Sequence, residues 1–379
     1  MTESRPSSHT VLVISNIAWE FVWQRHQTLA SLFAGAGWRV LFCEIPGTRR
    51  LGPGDAGRVL ARLAALGRRP AGNLPANVVR LRPFVFPATN AAFIAINARR
   101  VRRLVAREPA LAAGVDLIVN YSAARTARQL IEAVPHRRLV YDCTDDWLAV
   151  AGIPAHLPGD EKWLLARADL TLVPSRVLEE RKAPLARRCV RLPHGALVER
   201  FELPPKAPPP PGRVTLLYYG HLLRQHLDFA LLEGIARTRP NWRMVLVGPV
   251  KASHAWPANV ELPGQQPHER LRDFAAQADV LLLPYVLNDY TRAVLPAKTY
   301  ECLATGRPIV ATGLPELMRE FSGHMQFPEG VEGWIHAIES AVRAELPGQR
   351  EARLALARAN SWSARFGQLQ ALLADLPAP

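Results

Sequence analysis

Residues 259–317 read NVELPGQQPHERLRDFAAQADVLLLPYVLNDYTRAVLPAKTYECLATGRPIVATGLPEL. A strand ends at Leu262, and Gly264-Gln-Gln-Pro267 makes a turn. A helix is expected from His268 to Gln277, then a buried strand over 278–284. An irregular loop, Tyr285 to Pro296, opens a second helix that carries Lys298 and Glu301. Gly306-Arg307-Pro308 stops that helix, and Ile309–Thr312 is the next strand. Strand–loop–helix units of this size imply a parallel sheet, whose ligands sit at the carboxyl ends of the strands.

The loop Tyr285–Pro296 lies at such an end. It brings backbone N–H groups and a helix N-terminus beside Thr291, Arg292, Lys298 and Glu301. Cationic groups and free N–H groups suit a diphosphate, and a carboxylate suits a ribose diol. Lys298 and Glu301 are three residues apart on one helix face, so a simple surface ion pair is the alternative reading.

Outward from this stretch, the chain of 379 residues is too long for one ordinary core and suits two domains. Val11–Ser15, a helix from about Trp23 to Ala36 and Val40–Cys43 open a first parallel sheet. Further strands are expected at Val78–Leu81, Leu117–Asn120, Arg138–Tyr141 and 170–174, with a helix over 123–133. The stretch 201–212, rich in proline, reads as a stiff connector. A second sheet starts at Val214–Tyr219, followed by a helix from about Asp228 to Thr238 and a strand at Met244–Val247. The expected plan is a first domain over 9–200, the connector 201–212, a second domain over 213–358 and a terminal helix over 359–379.

The net charge is +14, with 29 Lys/Arg against 16 Asp/Glu in residues 1–200 and 18 against 17 in the remainder. Between Arg49 and Arg107 thirteen arginines face one acid, Asp55. That points to an anionic partner of the first domain: a membrane surface, a lipid diphosphate or an acidic glycan. Arg58–Leu66 and Phe93–Arg107 have helical periodicity. In the second, Ile94, Ala98, Val101 and Val105 share a face, and Arg99, Arg100, Arg102, Arg103 and Arg107 occupy much of the rest. A basic amphipathic helix fits a membrane interface, or else a surface helix with a solvated arginine face. No run of eighteen apolar residues exists, so no spanning helix is expected. The polar start MTESRPSSHT does not read as a signal peptide. Cys43, Cys143, Cys189 and Cys302 are widely spaced, with no metal-ligand pattern; free thiols in a cytoplasmic protein are expected.

The run AD-VLLLPY…T…PAKTYECLATGRPIVAT resembles the donor half of GT-B glycosyltransferases, especially the family 4 type and bacterial teichuronic-acid and capsule transferases. The resemblance covers Val11 to about Leu373 and is sharp in the second half. It implies two Rossmann-like domains facing a cleft, with the terminal helix crossing back to the first. It implies hexosyl transfer from a UDP- or GDP-linked sugar to a glycan or lipid-linked acceptor, with no cofactor and no metal. Of the family's two glutamates eight positions apart, Glu301 matches the second; Ala293 stands at the first, and Asp289 is a nearby acid. The loop Gly220–His226 corresponds to a phosphate loop with His221 and Arg224 but no lysine. The turn holding Gln266 corresponds to the base-reading turn. The run Trp23-Gln-Arg25 matches one in related capsule transferases, so Trp19, Trp23 and Arg25 are acceptor-side candidates. Pro193-His-Gly195 resembles a turn near the family's hinge.

An inverting transfer needs a base for the acceptor proton, whereas a retaining one can use the leaving phosphate. Asp145 is the first candidate in Tyr141-Asp-Cys-Thr-Asp-Asp-Trp147, with Asp142 and His26 behind it. Asp146 capping the next helix is the structural alternative. Two other functions compete: a sugar-nucleotide epimerase of the same fold, and a nucleic-acid-binding protein using the arginines. No recognition motif supports nucleic acid. The expectation is a cytoplasmic enzyme at the inner face of the cytoplasmic membrane, held there through residues 49–107.

Overall fold

The computed structural model describes residues 9–20, 23–45, 74–149, 153–250, 254–343 and 348–377. The expected helix over Arg58–Leu66 lies outside them. The chain divides into two units, one up to Leu192 together with Gln368 onward, the other Pro193–Gly367.

In the first unit the strands are β1 (Thr10–Ser15), β2 (Arg39–Glu44), β3 (Val78–Leu81), β4 (Val115–Asn120), β5 (His136–Asp142), β6 (Leu170–Val173) and β7 (Cys189–Arg191). They pair in parallel in the order β3-β2-β1-β4-β5-β6-β7. The order reverses between β1 and β4, so the crevice of this sheet opens beyond Ser15 and Asn120. Val11 to Ile14 are all buried, as befits a central parallel strand covered on both faces. The helices include α1 (Arg25–Gly35), α2 (Ala91–Arg107), α3 (Arg125–Ala133), α4 (Leu157–Arg167) and α5 (Arg176–Lys182). A reciprocal capping box between Gln24 and Gln27 starts α1. Gly37, at φ +85°, lets the chain turn back into β2.

The second unit has β8 (Thr215–Tyr219), β9 (Arg243–Val247), β10 (Val260–Gly264), β11 (Val280–Leu283) and β12 (Ile309–Ala311), all parallel, in the order β10-β9-β8-β11-β12. Alternate residues of β8 feed two cores. Leu216 and Tyr218 pack with α6 (Phe229–Thr238), while Leu217 and Tyr219 pack on the other face, toward α9 (Thr299–Ala304). Between α6 and α9 in chain order lie α7 (Leu271–Gln277) and the one-turn α8 (Asp289–Arg292); α10 (Gly330–Arg343) and α11 (Gln349–Ala359) follow α9. The last helix, α12 (Trp362–Ala374), begins in the second unit and from Gln368 belongs to the first.

Two boundaries differ from the sequence expectation. The change of unit falls at Leu192–Pro193, not near residue 200, because Ala196, Val198, Phe201 and Leu203 are buried in the second unit's core. The expected connector is gripped along its start. Arg350 donates to the Leu203 carbonyl at 2.5 Å, Arg307 to the Pro204 carbonyl at 3.1 Å, and Arg358 pairs with Glu202 at 2.5 Å. The strand β7 was not expected at all. Its three residues are only half-buried and carry no alternation.

Candidate functional site

The switch point of the second sheet lies between β8 and β11, and the two loops leaving it are tied together. The Asp228 N–H donates to the Pro284 carbonyl at 2.9 Å, that of Val286 to His226 at 2.9 Å, and Asn288 Nδ2 to Gln225 at 2.8 Å. The Asp228 side chain then caps α6, accepting from the Leu231 N–H. Beneath the loops two glycines bring backbone unusually close. Gly220 has φ +141° and Gly248 φ +148°, and a Cβ on Gly248 would sit 1.8 Å from the Gly220 carbonyl oxygen. Their N–H groups extend the sheet, Gly220 to Val247 and Gly248 to Gly264, at 2.8 and 2.9 Å. Gly220 therefore does not offer a free N–H. What it leaves is space, and Lys298 fills it: a Cβ at Gly220 would lie 2.2 Å from Lys298 Nζ.

Lys298 is the N-cap residue of α9 and is half-buried. Its ammonium donates to the Tyr218 hydroxyl at 3.1 Å and sits 4.3 Å from the centroid of that ring, with the Tyr285 and Tyr219 rings at 5.7 and 5.9 Å. Rings and hydroxyl stabilise a cation. Burial opposes the charge, but the Tyr218 and Tyr285 hydroxyls outweigh it and hold the lysine above its ordinary pKa. Among the described residues Lys298 forms no ion pair. A charge in this setting lacks the anion it would ordinarily need.

Glu301, one turn further along, does not supply that anion. Its Oε1 accepts from His268 Nε2 at 3.0 Å, and the two side chains are 17% and 10% exposed. His268 stands at the carboxyl end of β10, in a short 3₁₀ turn that precedes α7. Burial disfavours its charge, but the Glu301 carboxylate overrides this and raises its pKa above the ordinary imidazole value.

The loop after β11 is more ordered than its sequence suggests. Asn288 and Thr291 form a reciprocal capping box around α8, and the Thr291 hydroxyl also donates to the Val286 carbonyl at 2.6 Å. Thr291 is buried and its polar atoms are fully engaged, which corrects the expectation that it meets a ligand. Arg292 and Asp289 are exposed, and Ala293 is buried. Arg224 turns away from the loop Gly220–His226, toward α6. It stacks on Phe229 at 5.0 Å and meets His254 Nδ1 at 2.8 Å. His221 is half-buried, its carbonyl accepting from the Tyr218 hydroxyl at 3.3 Å. Gln266 closes its own turn by donating to the Pro263 carbonyl at 2.8 Å.

In the first unit the three aspartates after β5 have separate environments. Asp142 is 0% exposed and accepts from Arg25 Nε at 2.6 Å; Arg25 also donates to the Leu192 carbonyl at 3.0 Å. Burial raises the Asp142 pKa, against the pull of Arg25. This is a structural pair that fastens α1 to the ends of β5 and β7. It removes Asp142 from the candidate bases and Arg25 from the acceptor side. Asp146 is also buried, paired with Arg181 and with Lys182 at 3.5 Å rather than capping a helix. Asp145 alone of the three is not buried, and it accepts from the Thr144 hydroxyl at 3.2 Å. His26 is buried, bonded to Ser15 Oγ at 2.9 Å and stacked on Tyr121 at 3.7 Å, so it is a packed core histidine. Trp19 is buried edge-on against Phe42, its backbone N–H donating to Glu44 Oε1 at 3.0 Å, and is not displayed to an acceptor. Trp23 is half-buried and donates to Thr28 at 2.8 Å.

Comparisons with known proteins bear on both units. The family described as glycosyl transferases group 1 matches residues 213–345, most of the second unit. A protein of Bacillus subtilis, TuaH, named as a teichuronic acid biosynthesis glycosyltransferase, is 27% identical over 267 residues. That match spans 61% of this chain and 66% of the relative, a little under two thirds of its length. Sucrose-phosphate synthase from Thermosynechococcus elongatus has the same fold at TM-score 0.68 and 17% identity, over 97% of this chain and 99% of its own. So does Anabaena Alr3699/HepE, solved with UDP and glucose, at TM-score 0.64 and 13% identity, over 97% and 100%. Residues 213–345 thus match the group 1 glycosyltransferases, and the chain as a whole has the GT-B fold.

In this chain, sequence reasoning brought Gly220, Lys298, Glu301 and the turn of Gln266 to the carboxyl edge of one sheet, and there they are. It missed His268, which lay in the quoted stretch as the first residue of an expected helix. The signal was a histidine directly after a Gly-Gln-Gln-Pro turn, at the same strand end as Glu301. It also missed the three tyrosines around Lys298, since Tyr218 and Tyr219 read simply as the end of a buried strand.

Proposed function

We propose that this chain transfers a sugar from a nucleoside-diphosphate sugar, UDP- or GDP-linked, to a glycan or lipid-linked acceptor in cell-surface polysaccharide synthesis. The observation that carries the reading is Lys298: an ammonium half-buried at the switch point of a parallel sheet, against Gly220, with no carboxylate partner among the described residues. A diphosphate supplies the missing anion. Glu301 grips the ribose diol, and the backbone of the turn at Gly264–Gln266 faces the base.

The positive charge of Lys298 is already in place before the reaction. It stabilises the charge that builds on the leaving diphosphate without further rearrangement, and so takes the part a metal plays elsewhere. On the acceptor side Asp145 receives the hydroxyl proton if the transfer inverts. The buried Ala293 withdraws the carboxylate that the family places near the transferred sugar, so sugar selection falls to other groups.

The acceptor or the membrane meets the first unit through α2. Its inner side packs on α3, with Val101 buried and Asn97 bonded to Thr126 Oγ1 at 3.0 Å and to the Phe86 carbonyl at 2.7 Å. Arg99, Arg102, Arg103 and Arg107 are exposed, whereas Arg100 turns inward to the Phe84 carbonyl at 3.0 Å. With its apolar side occupied, α2 binds an anionic surface by charge rather than by insertion. No helix among the described residues is long and apolar enough to cross a membrane. A peripheral position at the cytoplasmic face follows from the proposed substrates.

A thermal-shift screen of nucleotides and nucleotide sugars tests this reading. UDP or GDP and one of their sugars are expected to raise the melting temperature, in the presence of EDTA as well. No stabilisation by any nucleoside diphosphate would remove it.

A further inference from the structure

His268 does more than fill a loop. An ionised carboxylate only accepts hydrogen bonds, so the 3.0 Å contact to Glu301 requires the proton on His268 Nε2. The imidazole is held from behind by Phe201, edge-on at 5.3 Å and 70°, on a segment buried in the second unit's core. Its Nδ1 is buried and takes no hydrogen bond among the described residues. The ring thus has one polar task, and that task is Glu301. On the carboxylate, Oε1 faces His268, while Oε2 takes no hydrogen bond among the described residues.

We propose that His268 is the positioning residue of the nucleotide site. It locks the Glu301 rotamer, presents Oε2 to the ribose diol, and makes nucleotide affinity depend on pH. The proposal rests on the reading that Glu301 binds ribose. A glutamate on a short helix has three rotatable bonds, and fixing them before binding removes that entropy cost from the binding step. The charged groups acting on His268 are Glu301 and Glu269, which favour its protonation, and Arg200, which opposes it. Its folded pKa is raised, so the charged pair is complete below that value. It weakens to a neutral hydrogen bond as the pH rises through it, and affinity falls with it.

The test is calorimetric titration of UDP and GDP into wild type, His268→Gln, His268→Phe and Glu301→Ala, from about pH 6 to about pH 9 across the imidazole range. Thermal melts of each variant register folding. Wild-type affinity is expected to fall across the range. His268→Phe should lose roughly tenfold at the low end, and the fall with pH should vanish in it. His268→Gln, which keeps a donor, should recover part of the loss, again without pH dependence. If both His268 variants bind as wild type does while Glu301→Ala is impaired, the positioning role is wrong and the ribose role survives. If wild type binds neither nucleotide, or Glu301→Ala binds normally, the underlying reading and the inference fall together.

Discussion

Lys298 and Glu301 are one helical turn apart and opposite in charge, yet they do not pair. The ammonium goes to Tyr218 and the carboxylate to His268, across the strand ends of β8 and β10. Each charge is thereby turned toward ligand chemistry instead of being neutralised by its neighbour. Replacing Lys298 by Met keeps most of the side-chain bulk and removes the charge. It should lower nucleoside-diphosphate affinity roughly 10- to 100-fold, the worth of one or two charge-assisted hydrogen bonds. The melting temperature of the free protein should barely change. Calorimetry and a thermal melt on the same sample check both halves.

The two glycines beneath the site make opposite predictions. At Gly248 a Cβ meets the Gly220 carbonyl oxygen at 1.8 Å, a backbone atom that cannot yield. Gly248→Ala should destabilise the protein by about 3 kcal/mol or more, combining this clash with an unfavourable backbone conformation. At Gly220 the obstacles are side-chain ends, the Lys298 ammonium at 2.2 Å and the Tyr218 hydroxyl at 2.9 Å, and the flexible lysine can swing away. Gly220→Ala should cost about 1–3 kcal/mol from its positive φ and displace the ammonium. Nucleotide affinity then drops as it does for Lys298→Met. Denaturant titration and nucleotide binding separate the two.

The aspartates after β5 also part company. Removing Arg25 leaves Asp142 as an uncompensated buried charge, so Arg25→Met should destabilise by about 3–5 kcal/mol. Asp145→Asn, at a site that is not buried, should change stability by less than about 0.5 kcal/mol. It should cut turnover while donor affinity stays intact. Full activity in Asp145→Asn would eliminate it as the base.

The proposed attraction to a membrane rests on the outward arginines of α2. Replacing Arg99, Arg102, Arg103 and Arg107 by Gln should abolish co-sedimentation with anionic vesicles, each arginine being worth about 1 kcal/mol near such a surface. Arg100→Gln alone should leave vesicle binding nearly unchanged. It should lower stability instead, because that guanidinium lies on the Phe84 and Phe86 rings at 5.0 and 5.3 Å. Unchanged sedimentation of the fourfold variant would refute the membrane surface.

Local signals carried the fold far. The buried run Val280–Leu283, the stop at Gly306 and the alternation in β8 each depend on neighbours in the chain, and such features are written into sequence. Lys298 and Glu301 were legible as a helix face for the same reason. Their partners were not. His268 is 33 residues from Glu301, and Tyr218 is 80 from Lys298. Only the sheet order brings these together. Thr291 misled because a hydroxyl in a ligand-facing loop and a hydroxyl capping a one-turn helix look alike in sequence. The residues 201–212 misled through their prolines, since Phe201 and Leu203 are buried in a core built from distant strands and helices, and the Leu203 and Pro204 carbonyls are held by arginines a hundred or more residues away.

The most direct test of the account is a crystal structure of the chain with UDP or GDP bound. The account predicts the diphosphate within hydrogen-bond distance of Lys298 Nζ, beside Gly220, and the ribose hydroxyls on Glu301 Oε2 while Oε1 stays on His268. A nucleotide bound elsewhere, with Lys298 still on Tyr218 and Glu301 touching no sugar, would contradict it.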